Sequence, residues 1–313
     1  MPDFDESTAV YKNFSGENAF VHLEKIVGIG PRISGSEGLA KSRQYIVDEL
    51  EKIGWGVKIE NFKSTTPAGE IEFFNIRARF SAERKPVVWD HKITGLICSH
   101  YDTKKFSSFE FVGANDGGSS TAALIEIARV LAKRPEVASE LELVWFDGEE
   151  AIGTNITDTD GLVGSRVYAT QWSLIPAKKR PDWGLLLDMI GDNDLKIRTG
   201  IEVSPPPLAD RDLEGEIDFG ALLQTRRKLA NQLIQAADAI GHRQQFGISP
   251  NYITDDHVPL NNTAGIPTID IIDFDFDYWH TPGDNLDKIS AESLEIVGQA
   301  TILLIEKYLL QDD

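Results

Sequence analysis

The sequence predicts an α/β protein, a three-layer α/β/α sandwich in which helices cover both faces of a mostly parallel central sheet. From about residue 93 onward, short apolar segments of strand length alternate with longer segments of helical periodicity. The chain has 313 residues, of which 41% are hydrophobic, and this is enough for a sizeable core. We find no internal repeat, low-complexity tract or convincing linker, so we expect residues 1–313 to form a single domain.

The first part of the chain predicts two helices followed by two strands. Residues 17–29 carry apolar side chains at helical spacing, up to the glycines that precede Pro31. A second helix follows, and its apolar face contains Leu39, Tyr45, Ile46 and Leu50. The two strands are Val57–Phe62 and Ile71–Phe80. The second alternates well enough to be a partly exposed strand.

The later part of the chain predicts the parallel sheet and its helices. The predicted strands are Thr94–Ser99, Leu141–Asp147, Trp183–Asp188 and Ile266–Ile272. The predicted helices are Ser119–Ala132, Leu162–Trp172, Phe219–Ile240 and Ala291–Leu310. Two long loops remain, Gly153–Gly161 and Asp192–Asp218. Loops of this length inside a domain often form the rim of a functional site.

Composition excludes several classes of protein. Fifty acidic residues against 31 basic ones give a net charge of -19, which argues against nucleic acid or an anionic membrane as a partner. The single cysteine, Cys98, excludes an internal disulfide and a cysteine-based zinc site. No apolar run approaches the ~20 residues of a membrane helix, and Met1–Thr8 is too polar for a signal peptide. We therefore expect a cytoplasmic protein, or a periplasmic or secreted one if a leader was removed.

The stretch Leu141–Ala151 is the centre of the functional argument. An apolar strand breaks at Gly148 and is followed by two adjacent carboxylates, Glu149 and Glu150. Neighbouring side chains on such a turn point in different directions. One glutamate is therefore free to hold a metal ion while the other handles a proton. Taken alone, the pair is more typical of a solvated acidic turn, and the positions of the other candidate ligands decide between the two.

Other metal-binding side chains also follow predicted strands. They are His100 and Asp102, then Asp116, Asp188 and His280. Open α/β sheets bind their ligands at the carboxyl ends of the strands, so we expect these side chains to converge. Imidazole and carboxylate donors without thiolate suit zinc in a catalytic site. Asp102 is placed to orient His100 from behind.

The remaining histidines have no such placement. We expect His22, His91 and His242 to be surface or packing residues. His257 follows two aspartates in Asp255-Asp256-His257, and we expect it to make structural hydrogen bonds rather than to bind metal.

At this point the ordered motifs resemble the zinc aminopeptidase and glutaminyl cyclase superfamily. The motifs are His100-Tyr-Asp-Thr-Lys, Phe111-Val-Gly-Ala-Asn-Asp-Gly-Gly, Phe146-Asp-Gly-Glu-Glu-Ala, Gly161-Leu-Val-Gly-Ser-Arg, Leu187-Asp-Met-Ile-Gly and Tyr278-Trp-His-Thr-Pro-Gly-Asp-Asn. The resemblance extends from about Phe14 to Leu310, so it implies one zinc-dependent exopeptidase-like catalytic domain. Phe-Val-Gly-Ala, the doubled Asp255-Asp256 and the Trp279-His280 pair are more similar to the glutaminyl cyclase branch.

The resemblance implies specific roles for these residues. Zinc would be held by Asp116, Glu150 and His280. Glu149 would be the general acid/base, and His100 with Asp188 would complete a second metal position as in the peptidases. The cyclases carry the same five side chains but use one zinc, so the resemblance implies one or two ions.

Further roles concern the substrate. The resemblance implies that Asp255 takes part in catalysis and that Trp279 lines the pocket. We expect Asp256 and Asp270 to contribute to substrate binding, with the acidic run from Asp270 to Asp277 attracting the substrate ammonium group. Two departures from the animal cyclases concern specificity. The loop after Glu150 has no tryptophan, and Asp270 stands where those enzymes have histidine.

Three functions remain open on this basis. The favoured one is a zinc-dependent glutaminyl-peptide cyclotransferase, which converts N-terminal glutamine of peptides to pyroglutamate and releases ammonia. The second is a zinc aminopeptidase, and the third is a non-catalytic binding module. Loss of Glu149 or of a ligand would favour the module, and neither is lost. The expected partners are peptide or protein N-termini, whereas the sequence leaves the oligomeric state open.

Overall fold

A computed structural model describes residues 4–81, 87, 89–201 and 217–310. Within this part the strands are β1 (Trp55–Thr66), β2 (Gly69–Phe80), β3 (Gly95–His100), β4 (Leu141–Phe146), β5 (Trp183–Asp188), β6 (Ile197–Thr199), β7 (Phe246–Ile248) and β8 (Thr268–Ile272). The helices are α1 (Gly16–Gly28), α2 (Glu37–Lys52), α3 (Ser120–Leu131), α4 (Pro135–Ala138), α5 (Val163–Ser173), α6 (Phe219–Ala239), α7 (His257–Asn262) and α8 (Ala291–Leu304).

Six of these strands form the central sheet, in the order β1-β2-β4-β3-β5-β8. β3 pairs in parallel with β4 and β5, and β5 pairs in parallel with β8. The hairpin β1–β2 joins this parallel part through an antiparallel pairing of β2 with β4. Because β3, β4, β5 and β8 run in one direction, their carboxyl ends meet at one edge of the sheet.

The parallel strands are buried on both faces, as their nearly continuous apolar sequences predict. One face packs against α1, α2, α3, α6 and α8 through alternate strand residues such as Ile97, Trp145 and Leu187. The other face packs against α5 and α7 through the intervening residues, which include Cys98 and Phe146. The predicted mostly parallel sheet between two helical layers is therefore confirmed.

Local capping fixes where the long helices begin. At each N-terminus an oxygen of the capping side chain accepts a hydrogen bond from a backbone N–H in the first turn. The capping residues are Ser15, Ser36, Asp218 and Ser290. These helices start within a few residues of the predicted positions.

Several short elements were not predicted. β6 and β7 form a separate parallel pair, and Gly200 bridges from this pair to Asp270 on β8. α4 and α7 contain four and six residues, too few to show a helical period in the sequence. The predicted loop Asp192–Asp218 contains β6, and its residues 202–216 lie outside the described part. Among the described residues, no helix is both long enough and apolar enough to cross a membrane.

Candidate active site

The turn after β4 brings two carboxylates to the edge of the sheet where the parallel strands end. Gly148 has φ +74°, and a Cβ there would lie 2.5 Å from the ring of Phe73, so this turn requires glycine. Behind the turn, the carboxylate of Asp102 accepts hydrogen bonds from the backbone N–H groups of Glu149 and Glu150, each at 3.2 Å. The two glutamates are thereby held in fixed directions.

Three side chains from separate loops converge beside this turn. His280 Nε2 lies 3.2 Å from Glu150 Oε1 and 3.3 Å from Asp116 Oδ2. Tetrahedral zinc with ligand bonds of about 2.0–2.2 Å would space its ligands by about 3.3–3.6 Å, which these distances match closely. Asp116, Glu150 and His280 therefore offer one nitrogen and two oxygen ligands at a spacing that suits zinc.

A second group shares Asp116 with the first. His100 Nε2 lies 3.3 Å from Asp116 Oδ1 and 3.1 Å from Asp188 Oδ1. The two oxygens of Asp116 thus face the two groups, so that its carboxylate is placed to bridge two ions. His100 Nδ1 lies 3.6 Å from Asp102, which is longer than a hydrogen bond. In this structure Asp102 therefore acts on His100 through its negative charge and not through a hydrogen bond.

Asp116 is held in place by Asp284, which lies on the loop after His280. Asp284 accepts hydrogen bonds from the N–H groups of Asn115 and Asp116, at 2.7 and 3.1 Å. The next residue, Gly117, has φ +71°, and a Cβ there would approach the His100 ring to 2.7 Å. This close packing explains the glycines that follow Asp116 in the sequence.

Burial is the main reason why the pKa values of the two glutamates are raised. Burial raises the pKa of Glu149 well above its usual value; His100 opposes this shift and Glu150 adds to it. Burial and the charge of Asp116 raise the pKa of Glu150 to about 7. Burial acts against ionisation of Asp116 too, but hydrogen bonds from His100 and His280 hold its pKa below the usual value. A metal ion bound to these ligands would displace their protons, because ligands bind in the deprotonated form.

Asp116, the two glutamates and His280 line a cavity of about 360 Å³. Its wall includes Glu149, Asp188 and Asp255, and its mouth carries the exposed aromatic residues Tyr252, Phe274 and Trp279. The Trp279 ring stacks on the His280 imidazole, with ring centroids 4.1 Å apart and planes at 21°. Asp255 is buried, and burial together with Asp188 raises its pKa well above the usual value.

Two of the residues expected to bind substrate lie elsewhere. Asp256 and Asp270 are fully buried and do not line the cavity. Asp270 is on β8, where its backbone pairs with Gly200, the residue that follows the unpredicted strand β6. The expected contribution of Asp256 and Asp270 to substrate binding stays a prediction. Asp273 does not point freely towards the site either, because it accepts hydrogen bonds from the N–H groups of Lys196 and Asp275.

Three further residues support the site, and sequence reasoning missed their roles. Lys104 is buried, donates to the carbonyl of Ala151 at 2.8 Å and lies 3.5 Å from Glu150. Arg32 is buried and donates to the carbonyls of Tyr101, Val112 and Gly113, on the segments that carry His100 and Asp116. Lys104 and Asp284 lie within the ordered motifs of the sequence, and this position is what could have indicated their roles. No sequence pattern indicates the role of Arg32.

Of the other histidines, His22 and His91 behave as expected: His22 bonds to Tyr45 and His91 to the carbonyl of Ser139. His257 differs. It is fully buried, and neither ring nitrogen has a hydrogen-bond partner among the described residues.

Comparison with known proteins shows the family to which the chain belongs. Residues 75–305 match peptidase family M28. The glutaminyl-peptide cyclotransferase of Drosophila melanogaster is 29% identical over 96% of this chain and 83% of its own length. The crystal structure of an Acidobacteriales bacterium glutaminyl cyclase superimposes with a TM-score of 0.76 at 33% identity, over 93% of this chain and 94% of that one.

A Zn-dependent exopeptidase from Parabacteroides distasonis superimposes with a TM-score of 0.75, over 97% of this chain and 98% of that chain. At 24% identity this likeness concerns the fold, and it confirms the expected exopeptidase-like architecture. The match to the family covers most of the chain, and the more similar relatives are cyclases. The chain therefore belongs to peptidase family M28 and, within it, to the glutaminyl-peptide cyclotransferase branch.

Proposed function

We propose that this protein is a zinc-dependent glutaminyl-peptide cyclotransferase that converts N-terminal glutamine of peptides to pyroglutamate and ammonia. The observation that carries the proposal is the position of Glu149. It lines the cavity directly beside the group Asp116, Glu150 and His280, in a chain whose relatives are named glutaminyl cyclases.

Zinc fits the residues present. Asp116, Glu150 and His280 would hold one ion, since imidazole and carboxylate are both zinc ligands and three protein ligands leave a position open for catalysis. His100 and Asp188 would complete a second position around Asp116, so the chain has ligands for one or two ions. When bound, zinc supplies a Lewis acid that polarises the γ-carbonyl of the substrate glutamine.

Glu149 moves the proton. The substrate α-amine attacks its own γ-carbonyl carbon, a C–N bond forms, and the C–N bond to the amide nitrogen breaks. Glu149 accepts the proton that the amine loses and returns it to the departing nitrogen, which leaves as ammonia. Burial raises the pKa of Glu149 above its usual value, which favours a carboxyl that both accepts a proton and returns it.

The cavity wall orients the substrate. Asp255 Oδ2 is buried without a hydrogen-bond partner in the described part of the chain, so it is available to accept from the amine or the leaving ammonia. Trp279, stacked on His280, provides a flat apolar wall for the short glutamine side chain. Because the reaction is intramolecular, holding this conformation contributes much of the rate.

A zinc aminopeptidase is the second candidate. It is favoured by the complete group of His100, Asp116 and Asp188, which offers the second metal position that the sequence resemblance associates with the peptidases. In that reaction Glu149 would deprotonate the water that attacks the first peptide bond.

Product analysis on matched peptides separates the two reactions. A cyclase releases ammonia from a Gln-initiated peptide, leaves every peptide bond intact and releases no free amino acid. Release of leucine from a Leu-initiated peptide, faster than ammonia from the Gln-initiated one, would overturn the cyclase assignment. The Glu149→Gln variant with its metal content measured is the control, because its activity must be low in either assay.

A further inference from the structure

A third group of potential metal ligands adjoins the active-site cavity, which only one of its three residues lines. It consists of Asp255, His257 at the start of α7, and Asp270 on β8, and we call these three residues the inner cluster. Each offers one ligand atom, and these atoms lie within 4.8 Å of one another. The inner cluster shares no residue with the groups around Asp116.

Its polar atoms have no protein partners in the described part of the chain. Both oxygens of Asp270, Oδ2 of Asp255 and both ring nitrogens of His257 are buried without a hydrogen bond. Within the cluster, His257 Nδ1 lies 3.7 Å from Asp270 Oδ2, which is longer than a hydrogen bond. Buried polar groups are nearly always satisfied, and buried carboxylates require a counter-charge or a proton.

The charges around the inner cluster favour a cation. Asp188 and Asp256 face it with negative charge, while His100 acts on the Asp255 side and Arg226 on the His257 side. Arg226 donates to Asn261, which gives its guanidinium another partner. Within the described part of the chain, His100 is the main positive charge that acts on the two carboxylates, and negative charges predominate around them.

We propose that Asp255, His257 and Asp270 bind a divalent transition-metal ion such as zinc, at a site separate from the two positions around Asp116. One imidazole and two carboxylates are a suitable donor set for such an ion. The separation of 3.7 Å between His257 and Asp270 is close to the roughly 3.3–3.6 Å expected of two ligands on one tetrahedral zinc. Asp255 lines the active-site cavity, which provides the route of entry.

Filling this site has a consequence for catalysis, and this consequence rests on the proposed function. Asp255 Oδ2 is the atom proposed to accept a hydrogen bond from the amine or ammonia. An ion bound to that oxygen occupies it, so turnover is lost as the inner cluster fills with metal. Metal binding itself does not depend on the reaction catalysed.

The direct test is a zinc-soaked crystal of the full chain, examined by anomalous scattering at the zinc absorption edge. An anomalous peak between Asp255, His257 and Asp270 is expected, in addition to density at Asp116. Density at the Asp116 groups alone, at zinc concentrations that inhibit turnover, would show that protons neutralise the inner cluster and would overturn the proposal.

Equilibrium dialysis with elemental analysis gives a second test in solution. The wild-type protein is expected to bind one more zinc ion per chain than Asp270→Asn, which keeps the side-chain volume, or His257→Phe, which removes both ring nitrogens. Equal stoichiometry in folded variants, checked by circular dichroism, contradicts the proposal. If the extra ion is found but turnover does not fall, the site stands and the role of Asp255 fails.

Discussion

Two clusters of buried charge lie at the two ends of β4, and they differ in how the charge is compensated. At the start of the strand, Glu142 accepts hydrogen bonds from Arg77 at 2.7 and 3.0 Å, from Arg79, and from the Tyr168 hydroxyl at 2.7 Å. After its end, Glu149 and Glu150 lie among further carboxylates, and histidines are the principal cationic partners.

The difference appears in the pKa values. Burial alone would raise the pKa of Glu142, but Arg77 and Arg79 hold it below its usual value. Burial raises the pKa of Glu149 well above its usual value, and Glu150 adds to the rise. The first cluster is complete within the protein, whereas the second requires protons or cations from solution. This comparison separates a structural charge cluster from a functional one on the same strand.

The largest expected effect is on turnover at the second cluster. Glu149→Gln keeps the volume of the side chain but removes the proton acceptor, so we expect turnover to fall about 10²–10⁴-fold. Steady-state kinetics on a Gln-initiated peptide, with zinc content confirmed, measures this. Glu150→Gln is the matched control and should lose metal instead. Near-normal turnover of metal-loaded Glu149→Gln would contradict the proposed role.

The first cluster should affect stability instead of turnover. Glu142→Gln removes the carboxylate that Arg77 and Arg79 share. Arg77 keeps Glu60 as a partner. Breaking a buried pair in this way costs about 3–5 kcal/mol of unfolding free energy. The matched control is Glu70→Gln on β2, whose partner is Lys63 in an exposed pair and which should cost about 1 kcal/mol or less. Urea unfolding measures both.

Equal destabilisation by the two substitutions would show that the Glu142 cluster adds no more stability than a surface pair. A loss of turnover in folded Glu142→Gln would break the separation between the two ends of β4.

The second cluster also predicts how stability depends on pH. Burial and the charge of Asp116 raise the pKa of two carboxyls to about 7 in the folded state, from 4.5 for Glu150 and from 3.8 for Asp284. Burial opposes ionisation of His280, but Asp116 and Glu150 raise its pKa from 6.5 to about 9. In each case the folded state binds the proton more tightly than the unfolded state. The metal-free protein therefore loses stability as the pH rises. The two carboxyls lose their contribution between about pH 4 and pH 7, and His280 loses its contribution between about pH 6.5 and pH 9.

Zinc should reverse this trend, because its ligands bind in the deprotonated form and its affinity increases with pH. At a zinc concentration 100-fold above Kd, the added stability is about 2.7 kcal/mol. Thermal unfolding of chelated and zinc-loaded protein across this range measures both effects. A melting temperature of the chelated protein that increases with pH would contradict the protonation of the site described above.

Much of the second cluster could be predicted from the sequence, and almost none of the first. His100, Asp116, Glu150, Asp188 and His280 lie at or beyond the carboxyl ends of strands. Parallel strands bring these ends to one edge of the sheet whatever their order. The partners of Glu142 depend instead on the antiparallel register of β2 with β4, which places Arg79 opposite Glu142. No local pattern specifies that register.

The same reason explains what was missed within the site. Asp284 and Asp102 act on backbone N–H groups of distant loops, and such contacts depend on tertiary packing. Asp270 is fully buried on β8, and its backbone pairs with Gly200 next to β6. The strands β6 and β7 have three residues each, too few for a pattern, so their position beside β8 could not be predicted.

The smallest expected effect concerns the aromatic wall of the cavity. Trp279 is 43% exposed and stacks on His280, so its removal leaves the core intact but frees the imidazole to turn. Such aromatic contacts contribute about 0.5–1.5 kcal/mol beyond their area, and we expect Trp279→Ala to lower kcat/KM roughly two- to tenfold with zinc retained. Trp279→Phe keeps a stacked ring and should recover most of this loss.

Phe274 touches Trp279 but not the imidazole, so Phe274→Ala should raise KM with little change in kcat. If Phe274→Ala and Trp279→Ala lower kcat equally, stacking on His280 is not what aligns the substrate carbonyl, and the wall acts only by excluding water.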